Sequence, residues 1–277
     1  MEQILLSPEN LHQNGGLKML SLIVRFSLLV LLALFPFVGA QSEPKDWSLI
    51  GLKFGQDIET ANDIIGNYRD DLFIRKHEIA FTYSDGVQMV KTDPFLSHLE
   101  AAARDPQETL KIYFSAPPRE QRLIAVTRVL VPSNPPTREQ FLAALTSRFG
   151  EPSIAYEPPR HSMSAPLRIK YVWINDHVKD CYQMKNTDRV LRGPSGALGE
   201  LAIYRRLAQQ GRAPSSLAMC EPVFEVLLHG DPVVHVEAAM LDTGNWLSGM
   251  EESNQWLAEL QENSSKQREK AGEVPAF

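Results

Sequence analysis

Asp242-Thr243-Gly244 follows an apolar run from Val236 to Met240. Aspartic proteases present a catalytic aspartate in such a turn, because two facing carboxylates that share one proton can activate a water molecule. The chemistry needs a second copy, and the chain has no other Asp-Thr-Gly and no Asp-Ser-Gly. Asn245 and Trp246 then lead into a polar helix, where the protease pattern requires a buried strand. The simpler role for these residues is a turn that closes the strand, since Asp and Gly both suit turn geometry. A hydrolase would have to assemble its site from residues distant in the chain, with Asp242 as its only sequence support.

Other reactive residue types fail on spacing. Gly193-Pro194-Ser195-Gly196 is not the Gly-x-Ser-x-Gly elbow and lacks the preceding strand that an exposed nucleophile needs. His77, His98 and His161 have no partner at ligand spacing, and His229 and His235 flank a turn. No glycine loop ends in Lys-Ser or Lys-Thr to cradle phosphate. No catalytic residue, bound metal or cofactor is therefore assigned. Cys181 and Cys220 are the two cysteines, and in an oxidising compartment a bridge between them would stabilise the fold by about 3–4 kcal/mol. The competing use is a metal site, since His177 stands four residues before Cys181 and His229 and His235 follow Cys220, but no Cys-x-x-Cys or His-x-x-x-His pair anchors one.

The compartment is read from the amino-terminal segment. The uncharged run Phe26–Ala40 follows Arg25, is broken by Pro36 and ends in Val38-Gly39-Ala40. A spanning helix needs about 20 apolar residues. A signal-peptide core needs about 7–15, followed by small residues at the cleavage site. The pattern predicts a signal peptide over 1–40, with cleavage after Ala40 and no stable membrane span afterwards; an uncleaved anchor is the alternative. Gln41, not Cys, follows the cut, so the lipoprotein signature is absent. The polar leader Met1–Lys18 is unusual ahead of an export signal, and Met19 offers an alternative start. The protein is expected to be periplasmic or secreted.

What remains after removal of residues 1–40 is long enough for one large or two small domains. Hydrophobic residues make up 43% and charged residues 22% of the chain, which is a globular composition. A net charge of −6 with scattered Lys and Arg gives no electrostatic footprint for nucleic acid.

The elements follow from hydrophobic period. In PPTREQFLAALTSRFGEPS, Thr137 and Gln140 form a capping box, Phe141, Leu142, Leu145 and Phe149 share a face, and Gly150 with Pro152 ends the helix. A shorter helix is predicted in GQDIETANDIIGN, stopped at Gly66. Period-two alternation predicts strands in LKIYFS and LRIKYVWI, and VFEVLLHGDPVVHVEAAML reads as a hairpin turned by Gly230-Asp231-Pro232. Further strands are expected at 78–83, 87–90 and 123–131, and a last helix near 252–260 ahead of a frayed polar tail over 262–277. This order gives an α+β fold with helices packed on antiparallel sheet, and two related helix-plus-meander halves, 41–134 and 135–261, are the expected division.

IGLKFGQDIETANDII and LTSRFGEPS resemble the strand-Gly-helix opening and the aromatic-Gly-x-Pro helix end of uncharacterised exported bacterial proteins. More distantly they resemble the small lipoprotein subunit of the outer-membrane protein assembly machinery. The resemblance covers most of Trp47–Asp242 in layout, and Trp173, Cys181 and Cys220 would be its downstream Trp and Cys residues. It implies an envelope compartment and this architecture, without an activity. The functional expectation is an exported protein that binds an unknown protein or small-molecule ligand and is not an enzyme.

Overall fold

The computed structural model describes residues 47–103, 107–157, 167–174 and 222–271. Helix α1 spans Ile58–Tyr68. Strands β1 (Phe73–Ile79), β2 (Thr82–Ser84), β3 (Met89–Lys91), β4 (Phe95–Ala103), β5 (Glu108–Phe114) and β6 (Leu123–Leu130) follow. Helix α2 (Arg138–Phe149) comes next, then β7 (Ile154–Tyr156), β8 (Arg168–Trp173), β9 (Val223–His229), β10 (His235–Leu241) and helix α3 (Thr243–Ala271).

Eight strands form one sheet in the order β1-β4-β5-β6-β10-β9-β8-β7, and β2 pairs with β3 apart from it. Every pairing is antiparallel. Each side of the sheet is thus a helix followed by a four-stranded meander, with the β2–β3 hairpin inserted in the first. The two meanders join through their last strands, β6 and β10. The fold is α+β, as the change of period predicts.

Strand alternation sends successive side chains to opposite faces. One face carries Leu99, Ile112, Val126, Val226 and Ala238 into a core shared with α1 and α2. The other buries Tyr113, Ala125, Val172 and Leu241 against Trp246 and Leu247 at the start of α3.

The capping box of α2 forms, with Thr137 and Gln140 exchanging bonds, and Gly150 at φ +78° ends the helix. Gly66 does not stop α1. The helix runs on to Tyr68, whose hydroxyl reaches Glu108 at 3.1 Å. The last helix starts nine residues before the expected 252 and continues through 262–271, where the sequence predicted fraying. Arg119 accounts for the early start: it donates to Glu252 at 2.6 Å, to the Asn245 carbonyl at 2.9 Å and to Ser248 at 3.0 Å. Near the far end Lys266 pairs with Glu262, and Arg268 pairs with Asp85 of the β2–β3 turn. Among the described residues, no helix is long and apolar enough to cross a membrane.

Candidate functional site

The middle of α2 stands off the sheet. Its first turn is pinned where the Arg138 amide donates to Asp231 at 3.0 Å and Val233 donates to the Pro136 carbonyl at 2.8 Å. Its last turn is pinned by Phe149, whose ring lies 4.6 Å from Phe224, and by Trp173, whose indole donates to the Gly150 carbonyl at 2.8 Å. Between these points Phe141, Leu142 and Leu145 are only half-buried. Under them is a cavity of about 230 Å³, walled by Leu145, Phe149, Phe224 and Val236 and by Leu49 and Ile50 of the segment before α1. On α1, by contrast, Ala61 and Ile65 are fully buried.

The polar lining of the cavity is two arginines, and all its other lining residues are apolar. Arg128 is a fixed part of the wall. Its Nε donates to buried Glu108 at 2.7 Å and its other arm to the Tyr68 hydroxyl at 2.8 Å, while Arg69 holds the second Glu108 oxygen at 3.1 Å. Arg148 lies at the exposed edge. It donates to the Ser48 carbonyl and hydroxyl at 2.9 and 2.7 Å and rests over the Phe149 ring. Both oxygens are neutral, so its positive charge has no acidic partner among the described residues.

The opposite face of the sheet carries two His-His-Glu groups, each built from a cross-strand histidine pair and a glutamate two residues along. In the first, His77 of β1 is the register partner of His98 of β4, and Glu100 follows on β4. The imidazoles stack at 4.3 Å with 6° between their planes, and Lys111 holds Glu100 at 3.1 Å. Burial pushes the His98 imidazole below its ordinary value, and the charges of His77 and Lys111 act the same way. The Lys111 hydrogen bond lowers Glu100. In the second group, His229 of β9 is the register partner of His235 of β10, and Glu237 follows on β10. These rings are perpendicular, at 88°. Glu237 Oε1 lies 3.1 Å from His229 Nε2 and 3.6 Å from His235 Nε2.

Asp242 caps α3. One carboxylate oxygen accepts from the Asn245 amide at 3.1 Å and the other from its side chain at 2.6 Å. Asp-Thr-Gly is thus a strand-to-helix junction, and Asp242 lines neither the cavity nor the two histidine groups. Cys181, Cys220, His177, His161 and Ser195 lie outside the described residues. Sequence reasoning overlooked the cavity and the His77 group, and it weighed His229 and His235 only beside Cys220, without Glu237. The one available signal was the hairpin itself, because a turn between His229 and His235 sets them opposite each other. Comparison with known proteins found no matching family model, no matching curated protein and no matching solved structure.

Proposed function

We propose that this is an exported protein that acts by binding, and that its ligand is a small amphipathic anion held under α2. The observation that carries the reading is an apolar cavity whose exposed edge bears Arg148, a cation that among the described residues is paired only with neutral oxygens. An apolar body is driven into such a space by desolvation. A charged guanidinium at the edge fixes the anionic end, an interaction worth about 1.5–3 kcal/mol when well formed. At about 230 Å³ the cavity is slightly below the usual range of small-molecule sites, about 300–1,000 Å³, which favours a short apolar body. Its walls offer no nucleophile, carboxylate or imidazole, so binding suits them better than catalysis. Export rests on the Phe26–Ala40 pattern and agrees with the resemblance to envelope proteins.

Octanoate and 1-octanol are suitable probes, because they share a chain and differ in charge. Saturable binding of octanoate is expected by calorimetry. Arg148→Gln should weaken octanoate about tenfold and leave octanol unchanged, while Leu145→Trp, which fills the cavity, should abolish both. No saturable binding, or binding indifferent to Leu145→Trp in a folded variant, would refute the reading.

A further inference from the structure

We propose that His229, His235 and Glu237 form a binding site for a divalent first-row transition metal ion, with zinc as its simplest occupant. The site lies on the sheet face opposite the α2 cavity: Val236 and Ala238 line the cavity, and the residues alternating with them on β10 point the other way. It therefore stands or falls independently of the ligand proposed there.

Two imidazoles and one carboxylate are a familiar ligand set for zinc and for divalent iron, and they leave positions open. Ligands about 2.0–2.2 Å from a tetrahedral ion lie about 3.4 Å from one another. The separations here, 3.1 and 3.6 Å to Glu237 Oε1, bracket that value. One ligand atom from each residue lies within 4.8 Å of the others. The perpendicular rings do not stack, and both Nε2 atoms lie beside the same Glu237 oxygen. The frame is already built. The turn is fixed by Gly230 donating to the Leu167 carbonyl at 2.7 Å and by Val234 donating to the His229 carbonyl at 2.9 Å, and Val233 is fully buried. Ordering entropy is thus spent before any ion arrives. Arg168 lies opposite His229 on β8, and Arg168 and Glu237 each have a further interaction that a bound ion would have to share or displace.

The first histidine group has the same residue types and lacks this arrangement. Its rings lie face to face with near-parallel planes, so their lone pairs do not converge, and its carboxylate is held by Lys111. The Nε2 of His77 is buried without a hydrogen-bond partner among the described residues, yet the neighbouring His98 ring is stacked face to face with it and offers no converging ligand edge.

The test is titration of the metal-free full chain with Zn(II), and with Co(II) for its absorption spectrum. One equivalent is expected, with visible cobalt bands and no thiolate charge-transfer band. His235→Ala should weaken binding at least about tenfold, and His98→Gln should not change it. Glu237→Gln keeps the side-chain shape and serves where the alanine variant fails to fold; it too should weaken binding about tenfold. A thiolate band would move the metal to Cys181 or Cys220 and overturn the proposal. So would sensitivity to His98→Gln in place of His235→Ala, or the absence of stoichiometric uptake.

Discussion

Around α1, Ala61 and Ile65 are fully buried, Tyr68 and two arginines converge on Glu108, and the histidine pair on the far face is stacked beside a neutralised carboxylate. Around α2, the same order of elements leaves a cavity at mid-helix, an arginine without an acidic partner among the described residues, and a histidine pair splayed toward a glutamate. The parts match, so the difference lies in side-chain size and in where each helix is pinned. Ile58, Ala61 and Ile65 let α1 settle onto the sheet. Phe149 is wedged at the end of α2, the Arg138 amide donating to Asp231 and Val233 donating to the Pro136 carbonyl hold its start, and the turns between are kept at a distance. One half contributes stability, and the other retains space in which a ligand can sit.

Breaking the closed half should have the largest effect. Glu108 is 2% exposed and faces Arg69 and Arg128. Glu108→Gln takes the carboxylate from Arg128 at a buried site, while Arg69 keeps its bidentate pair with Asp71, and it should lower stability by about 3–5 kcal/mol, read from denaturant unfolding. A loss below about 1 kcal/mol would show that the network is solvated and the contrast with α2 overstated.

The helices themselves give the next test. Ile65→Ala should cost about 2–5 kcal/mol, because its surroundings are packed. Leu145→Ala should cost only about 1 kcal/mol, since that side chain is half-buried beside existing empty space. The α2 stripe, read from sequence alone, predicts the larger figure for Leu145 as well. Equal losses would mean that α2 is seated as firmly as α1.

The stacked histidines give a smaller effect, through pH. The folded state disfavours the protonated His98, so the unfolded chain binds the extra proton first. The stability it contributes is complete above about pH 6.5 and is lost as the pH falls through the lower folded value. Between about pH 7 and pH 5 the wild type should therefore lose more stability than His98→Gln. A larger loss in the variant would reverse the sign and contradict the desolvated setting beside His77 and Lys111. Smallest of all is the exposed Glu262–Lys266 pair of α3. Glu262→Ala should lower stability only slightly in low salt and less in high salt.

Much of this frame is legible in the sequence. The capping box of α2, its glycine stop, the β9–β10 hairpin and strands β5, β6 and β8 all follow from period and turn chemistry, because their signals are local. Strand β4 is not legible in this way. Phe95–Ala103 ends in three alanines and carries Leu99 and Glu100, residues at home in a helix, and only pairing with β1 and β5 on either side makes it a strand. The polar end of α3 was equally hidden, since the Asp85–Arg268 contact joins residues far apart in the chain. The cavity is a property of two pinning points and has no local signature. The histidine groups depend on register, which composition does not encode.

A ligand site under α2 is tested most directly by titrating the isotope-labelled full chain with octanoate and following amide and methyl resonances. It predicts saturable shifts concentrated on Leu145, Phe149, Phe224 and Val236, with Ala61 and Ile65 unmoved. Shifts centred on α1, or none at concentrations that saturate typical carrier sites, would contradict it.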